Sequence, residues 1–373
     1  MKILIVIDSL GTGGAQTLKA QIGKGLVQRG YEVDIFIYNA NSRFFEAEFL
    51  DAGITIHVAN KQGSGFSFGV LLELRARIKS QYDAVISSLH APSIYASLAV
   101  LGNRHCKLIV CEESSSNAPV PLIRKMLFYF ATLLADAIVA NSFNEARLMS
   151  KLPGRSKKLH VIWNGYGLDS ILFKPRIISE NLTQITLLVV GRVAYPKNGT
   201  NLLKGLGLFL ARNGWIPKVN WVGRRDTDPR SVEMQKEMDL FLIQNPDVAK
   251  SWVWCGEVRD VKEYYQSSDA LLHVSRYEGL PMVICEAMLS GCFVIASAVC
   301  DHPLLLGNEE RGLLCDPLSP ESICEAIERF TALKSESKRN TVKKAREFAE
   351  LELDRDVMIN KYENLLNVLR TNF

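Results

Sequence analysis

The sequence predicts an α/β protein made of two doubly wound parallel-sheet domains in tandem. Short apolar runs alternate with helical stretches almost throughout the chain. The alternation lapses once near the middle and then restarts. The chain is also 373 residues long, more than one ordinary core organises, so two domains of about 150 to 190 residues are expected.

Ile3 to Ile7 reads as the first strand. It ends at Asp8 and Ser9, and Gly11-Thr12-Gly13-Gly14-Ala15-Gln16 leads into a helical pattern reaching Arg29. Glycines let a backbone approach a ligand and a helix start favours negative charge, so this loop suits a phosphate; it would equally serve as a tight packing turn. The dinucleotide fingerprint is incomplete. Gln16 stands where its last glycine belongs, and no acidic residue ends the second strand, Glu32 to Tyr38. Apolar runs at 54–58, 84–87, 107–111, 137–140 and 160–163 then alternate with helical stretches at 44–52, 68–79, 92–101, 122–134 and 144–150.

From Asn164 to Thr183 the pattern gives way to Gly165, Gly167, Pro175 and polar residues, a hinge composition. Strands resume at 185–190, 219–222, 253–254, 270–274 and 293–295, with the loop Gly191 to Gly199 leading to a helix over Thr200 to Ala211. The expected domains are 1–168 and 180–353. The last helix, from about Asp354, carries Met358, Tyr362, Leu365, Leu366 and Leu369 at helical spacing. It packs either on its own domain or back on the first. Open parallel sheets bind ligands at the carboxyl ends of their strands, so two such edges are expected to face across a cleft.

The most informative stretch is Ser275 to Ser290, S-R-Y-E-G-L-P-M-V-I-C-E-A-M-L-S. It follows the buried run Ala270 to Val274. Pro281 suits the first position of a helix ending near Gly291. Glu278 therefore lies on the loop at a strand end and Glu286 about one turn inside the next helix, with the free amides of the helix start between them. Arg192 and Lys197 follow another buried strand and could hold a diphosphate, or remain a solvated pair of loop charges.

Composition narrows the class. The chain is 47% hydrophobic and 23% charged with a net charge of +4, which fits a globular protein and does not imply nucleic acid. The start M-K-I-L-I-V-I-D reaches Asp8 before a signal-peptide core is complete. The apolar segment 126–140 contains Asp136 and is too short to span a bilayer. None of the eight cysteines forms a C-x-x-C pair, so they read as reduced core residues without a zinc site.

Arg192 and Lys197 in G-R-V-A-Y-P-K-N, Glu278 and Glu286 in E-G-L-P-M-V-I-C-E, Gly13-Gly14-Ala15-Gln16 and Asn164-Gly165 together resemble the retaining GT-B glycosyltransferases of family 4, over essentially the whole chain. The resemblance implies two Rossmann-like domains, with the terminal helix 354–373 crossing back to the first. It assigns the donor diphosphate to Arg192 and Lys197, the sugar hydroxyls to Glu278 and the ribose to Glu286. The amides of Gly279, Leu280, Pro281 and Met282 would border sugar and phosphate, and Gly13 and Gly14 would approach from the other domain. It implies a nucleotide-diphosphate sugar, expected to be uridine-linked, as co-substrate, with no metal or other cofactor, and retention of anomeric configuration. Loop contacts near Val258 would help recognise base and sugar.

One departure stands out. Glu113, in I-V-C-E-E-S-S-S-N, occupies the place where many family members carry a histidine beside the sugar. It could accept from a sugar hydroxyl, pair with an amino sugar, or repel the diphosphate. His90 is a further candidate at a strand end, and the family's acidic residue is missing from Asp301-His302-Pro303-Leu304-Leu305. A non-catalytic nucleotide-sugar-binding scaffold and a nucleotide-sugar isomerase are the alternative readings.

For the acceptor, the helix in 121–134 sets Arg124 and Lys125 beside Leu127, Phe128 and Phe130. It either lies on an anionic membrane or buries its apolar face against the sheet. Lys151, Arg155, Lys157 and Lys158 add a second basic cluster. The expectation is transfer to a glycan on a lipid carrier in bacterial surface polysaccharide synthesis, in the cytoplasm or on the cytoplasmic face of the inner membrane.

Overall fold

A computed structural model describes residues 1–11, 14–61, 63, 65–79, 81–113, 121–165, 185–258 and 260–371. The chain divides into two compact units, Met1–Gly165 with Arg355–Phe373, and Tyr166–Asp354. Gly13 and nearly all of the expected hinge lie outside the described residues.

The first unit runs β1 (Lys2–Val6), α1 (Gly14–Gln28), β2 (Glu32–Ile37), α2 (Glu46–Asp51), β3 (Thr55–Val58), α3 (Phe68–Ile78), β4 (Ala84–Ser88), α4 (His90–Val100), β5 (Lys107–Glu112), α5 (Leu122–Leu134), β6 (Ala137–Ala140), α6 (Phe143–Ser150) and β7 (Leu159–Val161). Its strands form a parallel sheet in the order β3-β2-β1-β4-β5-β6-β7. Alternate side chains serve opposite cores. Ile3 and Ile5 join one apolar cluster, Leu4 and Val6 the other. Such strands are covered by helices on both faces and must be apolar throughout, which is why they read as continuous runs.

The second unit runs β8 (Thr186–Val190), α7 (Gly199–Asn213), β9 (Lys218–Val222), α8 (Pro229–Gln244), α9 (Pro246–Ser251), β10 (Trp252–Gly256), α10 (Lys262–Ser267), β11 (Ala270–His273), α11 (Met282–Leu289), β12 (Phe293–Ser297), α12 (His302–Leu305), β13 (Leu313–Cys315), α13 (Pro320–Ala332) and α14 (Ser335–Glu352). The sheet order is β10-β9-β8-β11-β12-β13, again parallel. The short β13 was not apparent in the sequence. Pro281 takes the N-cap position with extended backbone, one residue before its expected place, and α11 starts at Met282.

The last helix, α15 (Arg355–Thr371), packs on the first unit. Met358, Ile359, Tyr362, Leu365, Leu366 and Leu369 join the core cluster that contains Ile22 and Leu26 of α1. Gly25 permits the close approach, since a Cβ there would lie 2.5 Å from Ile359 Cγ1. Arg29 completes the contact with a 2.8 Å ion pair to Glu363. Among the described residues no helix is long and apolar enough to cross a membrane.

Candidate active site

In the second sheet the chain leaves β8 and β11 in opposite directions, so their carboxyl ends flank the point where such sheets bind ligands. The loop after β8 begins at Gly191, where φ is 139° and a Cβ would lie 2.8 Å from Lys197 Cε. A one-turn 3-10 helix, Tyr195–Lys197, follows, and Asn198 turns into the left-handed region with φ 59°. The buried Asn198 amide donates to the carbonyls of Val274 at 3.1 Å and Pro317 at 2.6 Å, tying the loop to the end of β11. Lys197 is thereby presented to Glu278, with Nζ 2.6 Å from Oε1.

His273, the last residue of β11, lies behind this pair with Nε2 3.3 Å from the same oxygen. The backbone N–H of Glu278 donates to Cys300 Sγ at 3.4 Å. Burial alone would raise the Glu278 carboxyl, but Lys197 and the hydrogen bonds from His273 and Lys197 hold it well below the usual carboxylate range. Lys197 and His273 both approach its Oε1. Deeper in, His302 Nδ1 donates to the Ser297 carbonyl at 2.7 Å. Burial, then His273, lowers its pKa to about 3, so it adds no charge.

The loop continues through Gly279, Leu280 and Pro281 to α11, whose first bonds run from the amides of Ile284 and Cys285 to the Pro281 carbonyl. This orients the start of the helix, at Met282, where an anion is favoured. Glu286 lies one turn in. Tyr265 donates to its Oε2 at 2.8 Å, and burial pushes the carboxyl up to about 7. Val258 is half-buried just beyond β10. Arg192 is not brought to this cluster. It pairs with Asp226 and remains 60% exposed.

In the first unit the corresponding edge flanks β1 and β4. Gly14 opens α1, and a Cβ there would meet nothing within 4 Å, so packing does not demand glycine. Gln16, in place of the last fingerprint glycine, donates to Asp8 Oδ1 at 2.9 Å. Glu113, next after β5, is met by Lys19 of α1, Nζ to Oε1 2.6 Å, with side chains 0% and 6% exposed for Lys19 and Glu113. Ser88 donates to the same oxygen at 3.1 Å, while Oε2 has no partner among the described residues. Lys19 is thus the cationic partner of Glu113, a pairing that the sequence did not reveal.

Burial alone would lower the Lys19 pKa, but Cys111 and Glu113 raise it. Burial also pushes the Cys111 thiol up. His90 opens α4, its ring edge-on to Phe128 with centroids 4.5 Å apart; burial, then Arg124 and Lys125, lowers its pKa. Asn164 is buried and the next amide, Gly165, donates to Met358 Sδ at 3.2 Å, a packing role at the base of α15.

The α5 helix buries Phe128, Ala131 and Thr132 but exposes Leu122, Ile123, Met126, Leu127, Phe130 and Leu133. The basic cluster after α6 divides. Arg155 is buried and donates to the Pro153 carbonyl at 2.6 Å, and Lys158 caps α5 by donating to the Ala135 carbonyl at 2.7 Å. Lys151 and Lys157 stay exposed.

Two Rossmann-like parallel sheets, with a lysine and two glutamates around the switch point of the second, define a GT-B glycosyltransferase. Residues 171–348 match the model for glycosyl transferases group 1, and residues 12–170 that for glycosyltransferase family 4. The chain belongs to this family. It is 23% identical to the amylovoran biosynthesis glycosyltransferase AmsD of Erwinia amylovora, covering 98% of this chain and 99% of the relative. It is also 23% identical to the Escherichia coli UDP-Gal:alpha-D-GlcNAc-diphosphoundecaprenol alpha-1,3-galactosyltransferase, covering 59% of this chain and 57% of that one. Among solved structures, Anabaena HepE in complex with UDP superposes with a TM-score of 0.84 at 18% identity, covering 99% of this chain and 100% of HepE. That likeness bears on the fold.

Proposed function

We propose that the protein transfers a sugar from a nucleoside-diphosphate donor, a UDP-sugar, to a lipid-linked glycan in bacterial surface polysaccharide synthesis, with retention at the anomeric carbon. The observation that carries this is the Lys197–Glu278 pair, 2.6 Å apart at the switch point of the second sheet and next to the start of α11. Lys197, joined by Arg192 once it leaves Asp226, neutralises the departing diphosphate together with the helix start. These groups supply the positive charge, so the proposed reaction requires no metal. Glu278 accepts from the sugar and Glu286 from the ribose. Gly13 and Gly14 are assigned to the diphosphate, Gly279 to Met282 to the sugar, and Val258 to the base. The bond from the anomeric carbon to the phosphate oxygen breaks as the acceptor oxygen bonds on the same face, and the acceptor proton leaves with the diphosphate.

The Erwinia relative is named for amylovoran biosynthesis and the E. coli relative for a diphosphoundecaprenol-linked acceptor, which supports a lipid-diphosphate acceptor in glycan synthesis. The exposed face of α5, with Arg124, Lys125, Lys151 and Lys157, suits an anionic bilayer on the cytoplasmic side. The Lys19 partner of Glu113 favours the transferase over the scaffold reading.

The test is incubation with a panel of UDP-sugars and a bacterial lipid extract. Acceptor-dependent UDP release with sugar in the lipid fraction is expected, and Glu278→Gln should reduce it about 100-fold to 1,000-fold. UDP binding without release across the panel would contradict the proposal, and a changed sugar without acceptor would indicate an isomerase. Sedimentation with phosphatidylglycerol vesicles should fall in Phe130→Ser; equal sedimentation would remove the membrane contact.

A further inference from the structure

The first unit contains a cavity of about 490 Å3 at its strand carboxyl ends that the donor site leaves unused. Asp8 after β1, Tyr38 to Asn41 after β2, and Ala59 to Lys61 after β3 line it, with Ala91 of α4 and Arg124 of α5. Its size suits a small ligand.

Its chemistry is selective. Asn39, Asn41 and Asn60 offer amides that both donate and accept, the pattern that hydroxyl groups need. Lys61 Nζ sits 5.3 Å from the centre of the Tyr38 ring, and Arg124 lines the same space. Neither cation makes an ion pair among the described residues. Asp8 is the only carboxylate among the described lining residues, and its Oδ1 already accepts from Gln16 at 2.9 Å and from the Ser9 amide at 2.8 Å. The lining therefore carries uncompensated positive charge beside groups suited to hydroxyls.

We propose that this cavity binds a phosphorylated sugar, its phosphate on Lys61 and Arg124 and its hydroxyls on Asn39, Asn41, Asn60 and Asp8. The inference rests on the glycosyltransferase reading and gives the acceptor a chemical class. Arg124 belongs to the helix whose apolar face is exposed, so a phosphate carried by a lipid would reach it from the bilayer surface. A free sugar phosphate presents the same chemistry.

Calorimetry on the full chain tests this with gluco-, galacto- and manno-hexose 1-phosphates against the parent hexoses, and with a polyprenyl diphosphohexose in phosphatidylcholine vesicles. At least one phosphorylated probe should bind more than tenfold tighter than its uncharged hexose, and Lys61→Gln and Arg124→Gln should each weaken it about tenfold. UDP affinity should stay unchanged in both variants, which reports an intact fold. Weakening seen only with the vesicle probe assigns the phosphate to the lipid; weakening with the soluble probe assigns it to a free sugar phosphate. Because Lys61 lies outside α5, its variant separates phosphate recognition from membrane contact. Phosphorylated probes bound no tighter than hexoses, or equally by both variants, would overturn the inference. With UDP-dependent transfer intact that result removes this inference alone, whereas absence of transfer with every donor removes the reading beneath it.

Discussion

Each unit holds a lysine–glutamate pair at the carboxyl edge of its sheet, and the two differ in burial. Lys197 and Glu278 lie 2.6 Å apart with side chains 19% and 18% exposed. Lys19 and Glu113 lie at the same 2.6 Å with 0% and 6% exposed. Distance alone would rank them equal. A pair that water reaches can exchange its partner for a ligand at modest cost, whereas two sealed charges depend on each other because neither can be solvated alone. The first is the pair proposed to bind the donor. The second is placed to hold α1 against β5, with the free oxygen of Glu113 held in position.

The sharpest way to break this contrast is to remove one lysine at a time. Lys19→Met should cost about 3–5 kcal/mol of stability, measured by urea unfolding, because it strands a buried carboxylate. Adding Glu113→Gln should recover much of that loss, since the stranded charge is gone. A loss below about 1 kcal/mol would mean that the pair is not sealed.

A smaller effect concerns Glu286. Burial pushes its carboxyl up to about 7, so in the free protein it is protonated below that pH and ionised above it. Ribose hydroxyls donate best to the ionised form. UDP affinity should therefore fall as pH drops from 8 to 6, by at most about tenfold per unit. Stability of the unliganded protein moves the other way: the contribution of this group is fully present below the ordinary 4.5 and is lost as pH rises through about 7. UDP has its own phosphate titration near 6, so the comparison is with Glu286→Gln, which should show a flatter profile. Identical profiles would remove Glu286 from the nucleotide site.

The alternation of strands and helices was legible because parallel strands covered on both faces must be apolar throughout. The Glu278 loop and Lys197 were legible for the same reason, since charges directly after such runs stand out. Lys19 was visible as a lysine between Leu18 and Ile22 on the apolar row of α1, but its partner depends on how that helix sits against β5. His273 was hidden inside a run read only as apolar. For α5 the pattern fitted both a buried and an exposed apolar face, and packing decides: Phe128 faces inward while Leu127 and Phe130 face out. Arg192 was placed with Lys197 because both follow the same buried strand and match the family's motif, whereas Asp226, after β9, draws it aside.

The central claim, that the half-buried lysine–glutamate pair of the second unit is the donor-diphosphate site, is tested most directly by titrating UDP into the wild type and Lys197→Ala by calorimetry. The account predicts affinity about 100-fold weaker in the variant, with little change in its melting temperature. Equal affinity in a folded Lys197→Ala protein would contradict it.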